Sequence, residues 1–244
     1  MIPATGEEHK AAPAPAASDP RYDPRVIYRS IFGEKLRGHG QKWPHINEAE
    51  MRTINADFAG WIYMPVSPIN YPVVKGRLDA GYYLTHNFSG EPSIHGAVNM
   101  DFLHGGRLSP YSTFFCAHHM KDWSMFKCIV ELANPPFLAE HPSIYLLLDG
   151  RYYEARIFAG VCYWAHEGSK LAERITFRDR EDYAGWLRGI RANSVITADV
   201  FVTPEDRVAA FSTCAYPAEK TFDRFAAYGV LREIKPETMR GKQA

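Results

Sequence analysis

Cys214 ends the stretch Phe211-Ser212-Thr213-Cys214, the close of a β-like run over 207–213. A thiol at the tip of a strand admits two readings. A free cysteine is among the most buried residue types and is usually inert. Alternatively it is a nucleophile, which needs one partner to ionise it and another to steady the charge its attack creates. The chain offers both partners. His118 leaves the apolar run YSTFFC for a polar loop, a placement that sets an imidazole at the rim of a sheet, within reach of a substrate. Arg224 follows Cys214 by ten residues and opens the run RFAAYGVL. If those two runs pair antiparallel, the guanidinium returns to the level of the thiol. Each of the three alone reads blandly, as a core cysteine, an ordinary histidine and a rim arginine.

Cys116 precedes His118 by two residues, so on a continuing strand both side chains face the same way. That points to a second thiol near the first, able to form an inhibitory disulfide if the Cβ atoms approach to about 4.5 Å. Its bland reading is a small buried hydrophobe. The pair His118-His119 suggests a metal site with Cys116, but adjacent strand residues point to opposite faces and make a poor chelate. The reading carried forward is therefore no metal and no cofactor.

The elements that must position these groups are mostly short strands. Eight β-like runs are punctuated by Gly, Pro and Asn: 58–64, 70–74, 96–102, 111–116, 143–148, 152–163, 207–213 and 225–232. They suggest a closed barrel or a sandwich. Within 152–163, Tyr153, Ala155, Ile157, Ala159 and Val161 alternate onto one side. Helical patterns cover parts of 23–55, then 125–137 up to Asn134-Pro135-Pro136, and 179–192. In the last, Tyr183, Trp186, Leu187 and Ile190 share one helix face, acids lead and arginines trail. Residues 1–20 read as a flexible tail, 21–55 as a helical segment packed on the barrel, 56–235 as the barrel domain and 236–244 as a C-terminal tail.

Lys plus Arg and Asp plus Glu both number 28, so no net field draws nucleic acid or an anionic membrane. The start of the chain lacks the charged and apolar regions of a signal peptide. Either the protein is cytoplasmic or an anchoring segment is missing from this sequence. Four scattered cysteines are too few for a disulfide framework.

The order of a His, a strand ending STC and an Arg opening the next strand resembles the sortase family, class B in detail. The matching phrases are NADFAGWIYMP, INYPVVKG, YYLTHNF, GAVNMDF, AHHM with SMF, FLAEHPSIYL, DREDYAGWLRGIRANSV, DRVAAFSTC and DRFAAYG. They run over about 55–233. Helices before the barrel and a long helix between the sixth and seventh strands are also class B traits. The resemblance implies a mainly β fold, an eight-stranded barrel, and a cysteine transpeptidase. In that reaction Cys214 attacks a threonine carbonyl in an Asn-Pro-x-Thr-Asn/Gly-like sorting signal near the C-terminus of a secreted protein. His118 protonates the departing amine, and Arg224 orients the peptide and steadies the oxyanion with a backbone N–H near Cys214. The thioester is then resolved by an amine of a peptidoglycan crossbridge or of a pilin lysine. Ser212, Thr213, Leu84 and Cys116 are the implied substrate-binding positions. The implied place of action is the extracellular face of the membrane, reached only through an anchor that this sequence does not contain.

A cation beside a thiol favours the thiolate and equally disfavours a nearby imidazolium. Only a minor population then holds both ions, which predicts slow turnover. Two positions depart from the family pattern: Ala117 stands where relatives carry Gly before the histidine, and Ala215 stands where they often carry an acidic or other polar residue. Two other readings stay open: a barrel that kept the architecture but only binds peptide, and a metal-dependent protein built on Cys116, His118 and His119.

Overall fold

The eight β-like runs become eight strands of one closed barrel in a computed structural model, which describes residues 46–65, 67–76, 81–101, 103–168, 171–215 and 222–235. The tail at 1–20, the helical patterns before residue 46 and the tail at 236–244 lie outside the described residues. The strands are β1 (Phe58–Tyr63), β2 (Asn70–Lys75), β3 (Val98–Met100), β4 (Ser112–Cys116), β5 (Ser143–Leu148), β6 (Arg151–Tyr163), β7 (Val208–Cys214) and β8 (Arg224–Ile234). Around the barrel they run β1-β2-β3-β4-β7-β8-β6-β5, with β5 closing onto β1. The pairs β2–β3 and β4–β7 are parallel and the rest antiparallel.

Strand alternation separates two apolar faces. Ile62, Val73, Phe115, Ala209, Phe211, Phe225 and Ala227 fill the barrel interior. Ala210, Ala226, Tyr228 and Val230 face outward and are covered by a helix over Arg180–Ala192. Its Tyr183, Trp186, Leu187 and Ile190 are buried there, as their spacing predicts. Asp179 caps it, its carboxylate accepting from the Asp182 N–H at 2.8 Å. The other helices are short: α1 (Glu48–Ile54), α2 (Tyr82–Thr85), α3 (Pro135–Glu140) and α4 (Ala165–Gly168), which makes the 180–192 helix α5.

Two local expectations are corrected. The run 125–137 is not one helix. Met125 has φ 57°, outside the right-handed helical region, a 3-10 helix spans Lys127–Ala133, and Pro135 opens α3 instead of ending a helix. Proline at the first helical position lacks only an N–H that has no partner there anyway. In β6 the register against β8 slips between Ile157↔Gly229 and Ala159↔Tyr228. The extra residue reverses the sense of alternation. Tyr153, Ala155 and Ile157 therefore point into the barrel, whereas Ala159 and Val161 pack outside beneath α5.

Candidate functional site

Cys214 and Arg224 face each other as the last described pair of the β7–β8 ladder. On the far side of Arg224, β6 contributes Tyr163 at the same level. On the near side of Cys214, the parallel β4–β7 ladder ends at Cys116↔Ser212. Its hydrogen bonding continues past β4: the Ala117 N–H donates to the Ser212 carbonyl at 3.3 Å, and Thr213 Oγ1 donates to the Ala117 carbonyl at 2.9 Å. Extended by two residues, that ladder sets His118 level with Cys214. One row across the barrel wall thus reads His118, Cys214, Arg224, Tyr163.

Each member is held from behind. The ring of His118 donates from Nε2 to the Leu84 carbonyl at 2.7 Å, since a carbonyl can only accept. Leu84 belongs to α2, and its side chain is 40% exposed beside this contact. The His118 carbonyl accepts the Phe126 N–H at 2.9 Å, closing a tight loop in which Trp123 and Met125 adopt positive φ of 69° and 57°. Arg224 is one-third exposed at its side chain. Its Nη1 donates to the Asp223 carbonyl at 3.0 Å and lies 3.8 Å from the Asp223 carboxylate. Cys214 is half-buried with a free thiol.

The remaining expected positions divide. Thr213 points inward, its hydroxyl given to Ala117, so it supports the strand end and lies on the face opposite Cys214. Ser212 is buried on the outer face, where its Oγ lies 2.7 Å from the Tyr163 hydroxyl. Cys116 shares that face. Its Sγ donates to Asn99 Oδ1 at 3.1 Å, and burial above all, then the Glu173 charge, pushes the thiol up to about 12. Two residues of strand rise and one strand spacing put its Cα about 8 Å from that of Cys214. A disulfide between them would require the backbone to move. Ala117 extends the ladder without a left-handed backbone, so no conformational need for glycine exists there. The Ala215 N–H is occupied, donating to the Asp223 carbonyl at 2.9 Å.

His119 turns away from its neighbour. Its Nε2 lies 2.9 Å from the Lys127 ammonium, which can only donate, and the Cys214 backbone lies close to the ring. Burial, then the Lys127 charge, pushes this imidazole down to about 4, so it is neutral at ordinary pH. His118 and His119 thus take separate partners. Among the described residues no cluster of three or more His, Cys, Asp and Glu could hold a metal ion. Nothing in the run around His119 signals this bridge, because Lys127 reaches it across the loop. Tyr163 is equally hidden: its place opposite Arg224 depends on the β6–β8 register.

No family model matches the chain. Two relatives do. Sortase B of Listeria monocytogenes is 29% identical over 175 residues, 72% of this chain and 69% of that protein. Sortase B of Staphylococcus aureus is 29% identical over 186 residues, 75% and 74% of the two chains. Among solved structures, the Staphylococcus aureus sortase B–substrate complex superposes with a TM-score of 0.69 at 25% identity, covering 88% of this chain and 99% of that one.

Proposed function

We propose that this chain, a class B sortase and hence a cysteine transpeptidase, cleaves an Asn-Pro-x-Thr-Asn/Gly-like sorting signal after its threonine. It then passes the acyl group to an amine of the cell wall or of a pilin at the extracellular face of a Gram-positive membrane. The observation that carries the reading is the pairing of Cys214 with Arg224 at the end of the β7–β8 ladder, with His118 two residues past the end of the neighbouring β4.

With Nε2 committed to the Leu84 carbonyl, Nδ1 is the nitrogen of His118 left to exchange a proton. It takes the thiol proton as Cys214 Sγ attacks the threonine carbonyl. It returns that proton to the departing amine as the C–N bond breaks, leaving a thioester. An incoming amine attacks the thioester, His118 accepts its proton, and the thiol is restored. The Leu84 carbonyl orients this imidazole as an Asn or Asp side chain does in papain-like enzymes. The Ala215 N–H is already spent on Asp223, so Arg224 is the oxyanion donor among the described residues. Its guanidinium must swing from Asp223 to serve.

The test is cleavage of a fluorogenic sorting-signal peptide with mass spectrometry of the trapped acyl-enzyme. Cys214→Ala loses both acyl adduct and cleavage, Cys116→Ala keeps both, and Arg224→Lys lowers kcat/KM by about 10²-fold, because the charge stays but the fixed fork is lost. An adduct mapped to Cys116, or full activity in Cys214→Ala, overturns the assignment. Peptide binding without any adduct would mark a barrel that only binds.

A further inference from the structure

Leu84, whose carbonyl holds the ring of His118, belongs to a helix too short to fix its own position. α2 has four residues, and all four of its carbonyls fall in its last turn, where a helix supplies no partner. Each is taken by a group beyond the helix. His86 Nδ1 donates to the Tyr82 carbonyl at 2.9 Å, the Ala97 N–H to that of Tyr83 at 2.9 Å, and the Ser93 N–H to that of Thr85 at 2.8 Å. His118 Nε2 takes the fourth, that of Leu84. The strand that follows, β3, is only three residues long, so its ladder gives α2 little hold. What anchors the helix is Tyr83, buried in a cluster with Val74 and Ala97. Its hydroxyl donates to Asp57 Oδ2 at 2.8 Å and accepts from Asn55 Nδ2 at 3.0 Å. Asn55 Nδ2 also donates to the Phe88 carbonyl at 2.7 Å, and Asn55 Oδ1 accepts the Asp57 N–H at 2.8 Å. Asp57 is in turn fixed to β2: its carbonyl accepts the Lys75 N–H at 2.8 Å, and its carboxylate lies 3.6 Å from the Lys75 ammonium. The chain returning from α2 passes so close that a Cβ at Gly96, where φ is 60°, would lie 2.5 Å from the Tyr83 carbonyl oxygen.

The hydroxyl of Tyr83 adds something that packing alone does not. A phenylalanine ring would fill the same apolar cluster, but a hydrogen bond to a charged acceptor sets the depth of α2 against β1 and β2. Leu84 is the next residue, so that depth also places its carbonyl. With Nε2 donating to Leu84, Nδ1 is the nitrogen that exchanges the proton, whereas a ring released from the carbonyl takes either tautomer. We propose that Tyr83 and Asp57 are positioning residues for His118: they hold α2 where the Leu84 carbonyl keeps the ring proton on Nε2 and leaves Nδ1 to the reaction. Tyr83 is buried and Asp57 largely so, and both act only through α2. The inference rests on the transpeptidase reading and adds to it the groups that prepare its proton carrier. A displacement of about 1 Å at such a contact costs a reaction up to about 10²-fold.

The experiment reads the ring directly, by long-range proton–nitrogen NMR of the histidines on the full chain, roughly two pH units above the ordinary histidine value. The His118 signals are assigned by their loss in His118→Asn, and kcat is measured beside them on the sorting-signal peptide. In the wild type His118 is a single tautomer, protonated at Nε2. Tyr83→Phe gives a mixture of tautomers and lowers kcat by at least about tenfold. Asp57→Asn, whose amide oxygen still accepts the hydroxyl but without the charge, falls between the two. Ile190→Val, which costs stability by removing one buried methyl beneath α5, moves neither readout. A single tautomer retained in Tyr83→Phe, a mixture with kcat unchanged, or a mixture in Ile190→Val as well, overturns the proposal and leaves the transpeptidase reading intact. If Tyr83→Phe does not fold, Asp57→Asn is judged by the same two readouts. A wild type that forms no acyl adduct sinks the transpeptidase reading instead. The tautomer alone then decides whether this network sets the ring: a mixture in Tyr83→Phe upholds it, and a single form overturns it.

Discussion

His119 keeps its imidazole between the Lys127 ammonium, 2.9 Å away, and the Cys214 backbone. The ring is held neutral by burial first and by the lysine second. Such a group links stability to pH. An unfolded histidine titrates near 6.5 and this one near 4, so between those values the unfolded chain binds more protons and stability falls as pH falls. The full shift corresponds to at most about 3 kcal/mol, which partial exposure of the ring reduces to roughly 1–2. His141, also pushed down by burial, adds a loss of the same sign that any variant at 119 retains. Urea unfolding at pH 7 and pH 4.5 should therefore show a smaller acid loss in His119→Asn than in the wild type. Identical losses would mean that the ring titrates freely. His119 also marks the limit of the sequence. Spacing was enough to argue against a chelate with His118, because neighbours on a strand diverge. What His119 faces instead depends on a loop whose Trp123 and Met125 take positive φ, and no local pattern encodes that.

Among the elements, β6 shows best where periodicity succeeds and where it stops. Its extent was readable from alternation, as was the buried face of α5 from its 3.6-residue period. The bulge at Phe158 was not, because both halves of β6 are apolar on the faces they bury, one inside the barrel and one under α5. A sequence apolar on alternate positions looks the same whichever side is core. The second half is where the chain preceding β7 packs most closely. Gly160 accepts from the Val195 N–H at 2.8 Å and donates to Ser194 Oγ at 3.0 Å. A Cβ at Gly160 would lie 2.6 Å from Ile196 Cδ1 and 2.7 Å from Phe225 Cζ. Both neighbours are buried and cannot withdraw without opening the interior. Gly160→Ala should cost about 1–3 kcal/mol by overpacking, where alanine in a strand would otherwise be neutral or better. Thermal unfolding reads this directly. Because Phe225 follows Arg224, the same variant should also lower kcat, and an unchanged melting temperature would show that the β6–β8 seam yields more easily than its packing implies.

Across the whole molecule the barrel has a strong wall and a weak one. β6 and β8 pair from Tyr152↔Ile234 to Tyr163↔Arg224 with one bulge at Phe158, and β7 joins them from Val208↔Val230 to Cys214↔Arg224, with Ala226, Ala227 and Tyr228 fully buried between. On the other side β3 is three residues long and meets β4 at Asn99↔Cys116 and Met100↔Phe115. The site straddles this difference. Cys214 and Arg224 stand on the strong wall, whereas His118 follows β4 and is tied to the helix before β3 through the Leu84 carbonyl. Closure of the barrel hides the asymmetry from inspection of any single strand, since every edge is paired. Local stability exposes it, because short ladders with few buried partners open first and long buried ones open only with the whole fold. Native-state hydrogen exchange should find the amides of 226–230 exchanging at the rate of global unfolding. Those of Asn99, Met100 and Cys116 should exchange at least about tenfold faster, through openings that leave β7 and β8 intact. For the reaction proposed above, such a row keeps Cys214 and Arg224 rigid and lets His118 move to admit a peptide. If Asn99 and Cys116 are instead protected as well as Tyr228, the wall is uniform, and the histidine must stay fixed while the substrate alone adjusts.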